Sequence, residues 1–190
     1  LPIGMALFAS DSGCGAARLD VLFNYTATTE ISTLIDSRQP DSSTPTSEAI
    51  NSISKEAVLH DPSRSQYILL LTDGEPNCAS GEPTATVNAI TAARMQSPSI
   101  TTFVLGFGAL PASAATAMDQ MAVAGGAPSV GTPRKFYTAD DLTTLNAALE
   151  KIFSVVLSEG GGLCDDSCYA PDVGCPTPGD VCIRGKCQQN

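Results

Sequence analysis

The stretch Tyr67-Ile68-Leu69-Leu70-Leu71-Thr72-Asp73-Gly74-Glu75-Pro76 decides the fold. Five apolar residues run together and then stop at Thr72-Asp73-Gly74. A short apolar run bounded by turn residues reads as a strand buried on both faces, as in a parallel sheet. Asp73 stands where that strand ends, and open α/β sheets gather ligands at the carboxyl ends of their strands. One carboxylate is therefore placed at the functional edge of a sheet.

Downstream, Thr84 opens a helix running to Gln96 with Val87 and Ile90 on its apolar side, closed by Ser97-Pro98. Ile100 to Gly108 is a second buried strand, and Ala112 to Ala124 a helix stopped by Gly125-Gly126. Lys135-Phe136-Tyr137 reads as a short strand. Asp140 or Asp141 then caps a helix whose apolar face is Leu142, Leu145, Leu149, Ile152, Phe153 and Val156.

Upstream, Ile3–Phe8 and Arg18–Tyr25 read as two strands of a hairpin. Thr28 or Thr29 caps a short helix carrying Ile31, Leu34 and Ile35. After the polar loop Asp36–Ser47, a helix of about 13 residues places Ile50, Ile53, Ala57 and Val58 on one face, with Pro45 in its first turn. Strands alternating with helices predict an α/β fold, a doubly wound and mainly parallel sheet. Residues 1–159 form this domain, and Gly160-Gly161-Gly162 leads into a small disulfide-rich appendage over 160–190.

Composition narrows the functions available. The chain has 190 residues, 43% hydrophobic and 16% charged, enough apolar content for a real core. Twenty acidic residues against ten basic give a net charge of −10, which argues against nucleic-acid binding. No apolar run is long enough to span a membrane. Leu1 in place of an initiator Met points to a processed product or part of a longer chain.

Five of the seven cysteines, Cys164, Cys168, Cys175, Cys182 and Cys187, fall in the tail, and Cys14 and Cys78 lie in the domain. This density indicates disulfides and an oxidising compartment, hence a secreted or cell-surface protein. Zinc is the rival, but no Cys-x-x-Cys pair occurs and the single histidine, His60, is remote in sequence. Seven is odd, so at least one cysteine lacks a partner within the chain. His60 has no nucleophile to serve, and no constellation for an enzyme is present.

Three segments are expected to meet at the sheet's carboxyl edge: Asp73, the stretch Ser43-Thr44-Pro45-Thr46, and Asp11-Ser12-Gly13. Carboxylate and hydroxyl oxygens without His or Cys suit a hard cation, Mg²⁺, Mn²⁺ or Ca²⁺. Blander roles stand beside these. Asp73 before glycine is a common turn former, and Thr44 a common helix cap. Ser47 and Glu48 read as exposed first-turn residues, and Glu75 as a solvated loop acid.

Leu-Leu-Leu-Thr-Asp-Gly-Glu-Pro at 69–76, Ser-Thr-Pro-Thr-Ser-Glu-Ala-Ile at 43–50 and Val-Leu-Gly-Phe-Gly at 104–108 together resemble a von Willebrand factor A (integrin I-like) domain over residues 3–157. The resemblance implies an adhesion module with a metal-ion-dependent adhesion site (MIDAS), the metal held by Thr44 and Asp73. It implies a protein ligand that presents a carboxylate to the metal. The family's Asp-x-Ser-x-Ser element is absent, since Asp11-Ser12-Gly13-Cys14-Gly15 does not match it. The first strand is then expected upstream of Leu1 or lost, with another segment or another chain completing both sheet and metal site. The alternative is a structural or assembly module, such as a pilus-associated one, with an incomplete site. The composition and the cysteine-rich tail fit a bacterial surface protein. Cys14 and Cys78 lie in loops expected at the same sheet edge, which predicts a disulfide between them.

Overall fold

In a computed structural model, the residues described are 3–8, 13–15, 17, 19–24, 27–39, 43–159, 180–183 and 186–189. The chain falls into two compact units, Leu1–Ala148 and Leu149–Asn190.

The first unit opens with an antiparallel pair, β1 (Ile3–Met5) and β2 (Val21–Asn24), in register at Ile3↔Asn24 and Met5↔Val21. The expected hairpin is present, with both strands shorter than their apolar runs. Helix α1 (Thr28–Ser37) follows, but neither threonine caps it: Ala27 is the N-cap and no side chain bonds there. No residue of α1 is buried, and Ile35 is 51% exposed.

Helix α2 (Thr46–Ile53) is shorter than its pattern predicts. Pro45 is its N-cap rather than its first helical residue. The chain leaves the helix through Ser54-Lys55, and Glu56 is extended. A separate 3-10 turn covers Ala57–His60. That break changes the inward residue: Leu59 is buried, whereas Val58 is 40% exposed. His60 ends the turn exposed, its Nε2 lying 3.1 Å from the Ser54 carbonyl oxygen, which can only accept.

Strands β3 (Gln66–Thr72), β4 (Ile100–Phe107) and β5 (Tyr137–Ala139) form a parallel sheet in the order β3-β4-β5. Helices α3 (Thr84–Arg94) and α4 (Ala112–Gly125) carry the crossover between β3 and β4 and that between β4 and β5. The last strand starts two residues later than the sequence pattern suggests, with Phe136 buried ahead of it. Gly126 ends α4 at φ +84°, a left-handed cap that suits glycine.

One face of the sheet, with Leu70, Ile100 and Val104, packs with Ile50, Leu59, Ile90, Ala93, Met118 and Met121 into the main core. The other face carries Tyr67, Leu69 and Leu71 of β3 beside Thr101, Phe103 and Leu105 of β4. There the rings of Tyr67, Phe103 and Tyr137 follow one another at centroid spacings of 6.1 and 6.2 Å. Phe103 and Leu105 are fully buried, but Leu69 and Leu71 are 40% and 49% exposed. The deciding strand is thus buried on one face only, a correction to the sequence reading. Among the described residues, no strand pairs with β3 on the side away from β4.

Helix α5 (Leu142–Glu159) begins in the first unit and ends in the second. Asp141 caps it, its carboxylate accepting the Thr144 N–H at 2.7 Å. Its buried stripe is Ala148, Ile152 and Val156, while Leu142 and Phe153 are exposed, contrary to the expected face. In the second unit, β6 (Asp180–Ile183) and β7 (Lys186–Gln189) pair antiparallel with Cys182 opposite Cys187. This hairpin was not anticipated, although Arg184-Gly185 between two short runs is its sequence signal. Cys164, Cys168 and Cys175 lie outside the described residues.

Candidate functional site

The site is built where β3 ends. Thr72, the last residue of the strand, closes the turn with its own hydroxyl, which approaches the Gly74 carbonyl oxygen at 3.3 Å and the Gly74 N–H at 3.4 Å. Turn formation therefore rests on Thr72. The exposed Asp73 carboxylate receives no hydrogen bond from any described residue.

From Gly74 the chain runs to Asn77, four residues past Asp73, and there it meets Thr44. The Thr44 N–H donates to Asn77 Oδ1 at 2.7 Å, and the Asn77 N–H donates to the Thr44 carbonyl oxygen at 3.2 Å. Asn77 thus clamps both sides of the Thr44 backbone. The same carbonyl accepts the Thr46 N–H at 2.9 Å, which sets the entry into α2. Thr44 is half-buried, and its hydroxyl bonds no described residue. It does not cap the helix by its side chain. The two loops singled out from the sequence are therefore joined through Asn77, with backbones pinned and the oxygen-bearing side chains of Thr44 and Asp73 unengaged.

Around them the first turn of α2 departs from expectation. Ser47, expected to be exposed, is buried at 3% exposure, and Thr46 before it at 0%. Ser47 Oγ donates to the half-buried Glu48 carboxylate at 2.8 Å. Thr46 Oγ1 is buried without a hydrogen-bond partner among the described residues. Leaving a hydroxyl in that state costs about 1–3 kcal/mol.

A covalent link backs the clamp. Cys14 and Cys78 form a disulfide with Cα atoms 5.4 Å apart, as predicted. It ties the segment between β1 and β2 to the residue next to Asn77. Asp11 and Ser12, the third stretch singled out from the sequence, lie outside the described residues. Glu75 is half-buried.

Donor chemistry tests the fit to a cation. The side chains of Thr44 and Asp73 offer hydroxyl and carboxylate oxygens, a donor type that matches Mg²⁺, Mn²⁺ or Ca²⁺ and not zinc. They fit in kind, but a six-coordinate ion needs further oxygens. Among the described residues no cluster of three or more His, Cys, Asp or Glu side chains offers a separate metal centre.

Asn77 is the residue that sequence reasoning missed. It sits in a loop of ordinary turn composition, and its partner lies 33 residues earlier. The one available signal was its adjacency to Cys78.

A family model for the von Willebrand factor type A domain matches residues 3–153, more than half of the chain. No curated protein matches the chain.

Proposed function

The chain belongs to the von Willebrand factor type A domain family, whose members serve generally as ligand-binding and adhesion modules, and from that premise we propose that it binds a protein ligand through a divalent cation at the carboxyl edge of its parallel sheet. Thr44 and Asp73 hold the ion, Mg²⁺ or in its place Mn²⁺ or Ca²⁺. Water and oxygens from outside the described residues complete its shell. When bound, the cation supplies an open position for a carboxylate of the partner. The amino-terminal end of α2 favours that incoming negative charge.

The observation that carries this reading is the link through Asn77 between the Thr44 loop and the loop that begins at Asp73. The backbones of Thr44 and Asp73 are fixed through Asn77 and Thr72, yet the hydroxyl and the carboxylate bond no described residue. The setting in this reading is extracellular or at a bacterial cell surface. The disulfide and the cysteine-rich tail support it, and no helix among the described residues is long and apolar enough to cross a membrane. The −10 net charge offers no basic surface for nucleic acid.

Mn²⁺ titration of the ¹⁵N-labelled protein tests the site at low affinity. The expected result is paramagnetic broadening centred on the Thr44 and Asp73 amides and abolished by Asp73→Ala. Uniform broadening, or broadening unchanged by the substitution, overturns the reading.

A second reading is favoured by the open face of β3. Leu69 and Leu71 are apolar, exposed and next to a strand edge that no described strand pairs, as in a sheet that accepts one more strand. In this reading the chain is an assembly module, and the added strand comes from an upstream segment of the same protein or from another chain. Mn²⁺ insensitivity together with strand capture leaves this reading alone standing.

A further inference from the structure

We propose that Asn77 is the positioning residue for Thr44 and that the Cys14–Cys78 disulfide sets its hold, so that the site is redox-sensitive. The inference rests on the reading of Thr44 as a cation-binding residue. Asn77 supplies both contacts that fix the Thr44 peptide from the β3 side, one through Oδ1 and one through its own N–H. Its neighbour Cys78 is anchored to Cys14, 64 residues earlier in the chain. The loop after β3 is thereby held at three points: the Thr72 turn, the Thr44 clamp and the disulfide.

The sulfur itself takes part. Cys78 Sγ lies 3.5 Å from Asn77 Oδ1, the same atom that accepts the Thr44 N–H. In the disulfide this sulfur carries no hydrogen and only packs against the oxygen. Reduction by a dithiol breaks the S–S bond. The dithiol gives up two electrons and two protons and closes to its own disulfide, while Cys14 and Cys78 each become thiols. The new Cys78 S–H then lies within reach of Asn77 Oδ1 as a weak second donor, while the loop loses its covalent anchor. Loss of the anchor loosens Thr44 without touching the buried strands.

Amide hydrogen exchange reads this directly. In the oxidised protein the Thr44 amide is protected. Its exchange is expected to accelerate roughly ten-fold, the equivalent of one lost hydrogen bond, in the Cys14→Ser/Cys78→Ser double variant and after dithiothreitol treatment. Asn77→Leu gives the same acceleration with the disulfide intact, and Asn77→Asp, which keeps the acceptor oxygen, restores protection. The Val104 and Leu105 amides of β4 hold their protection throughout. Unchanged Thr44 exchange in the double-serine variant overturns the proposal. So does parallel loss of protection in β4, because the effect is then global. The cation reading is judged separately by Mn²⁺ broadening at Thr44 in the oxidised protein. Its absence removes the cation, while the exchange result still decides the latch.

Discussion

β3 and β4 lie side by side in parallel, in register from Gln66↔Ile100 to Thr72↔Gly106, and both are apolar runs that end in a turn. Their environments nonetheless differ. β4 has β3 on one side and β5 on the other, and Ile100, Phe103, Val104 and Leu105 are all within 1% of full burial. β3 shares the helix-covered face through Leu70, but its opposite face leaves Leu69 and Leu71 half in solvent. An apolar run specifies a strand, while its neighbours decide how many of its faces are dry.

The difference can be broken by substitution. The largest effect is expected at β4: Phe103→Ala should lower stability by roughly 3–5 kcal/mol, measured by urea denaturation, because it removes a fully buried ring between Tyr67 and Tyr137. Gly106→Ala comes next, at about 1–3 kcal/mol, since overpacking forces its surroundings to shift. A Cβ built there would stand 2.7 Å from both Leu110 Cδ1 and Phe136 Cε2, and 2.9 Å from Met118 Sδ. Leu71→Ser on the open face of β3 should change stability by no more than about 0.5 kcal/mol. A loss there comparable to that at Phe103 would mean the face is covered and the contrast with β4 is void.

The smallest effect lies in acid. Thr144 holds the Asp141 carboxyl below its ordinary range, chiefly through its backbone N–H and then through its hydroxyl. Ser63 does the same for Asp61, first through its hydroxyl and then through its backbone N–H. A folded-state value below the unfolded one gives stability that is full above the unfolded value and lost as pH falls through the folded one. Thermal melts below pH 4 should therefore show a slightly shallower acid loss in Asp141→Asn than in the parent protein. β4, which has no titrating side chain, should contribute nothing to that slope.

Much of this was legible because the signals are local. The β4 run, the glycine stop of α4 and the aspartate ahead of α5 each act within a few residues of the feature they encode. The disulfide was legible from topology, as both cysteines fall in loops at one sheet edge. What failed depends on partners distant in sequence. Nothing near Leu69 and Leu71 reveals that, among the described residues, one side of β3 has no pairing strand. Apolar periodicity runs on past Ile53, but the helix stops there, and so Leu59 rather than Val58 turns inward. Asn77 looks like any loop residue until the fold brings Thr44 against it. Thr44 and Asp73 were singled out by type and spacing, whereas the link that Asn77 makes to the Thr44 loop was not.

The Cys14–Cys78 bond also adds a second kind of force to part of the molecule. It closes a ring that contains β2, α1, α2 and β3, and in that ring α1 buries no residue at all. With its ends 64 positions apart in sequence, the crosslink restricts the unfolded chain by about 4 kcal/mol in the chain-entropy picture. That benefit requires no contact made by the residues it encloses. From α3 to β5 the fold depends on packed side chains, and Ile50 and Leu59 inside the ring join that core; for α1, with nothing buried, the crosslink acts instead through the shapes the unfolded chain is forbidden to take.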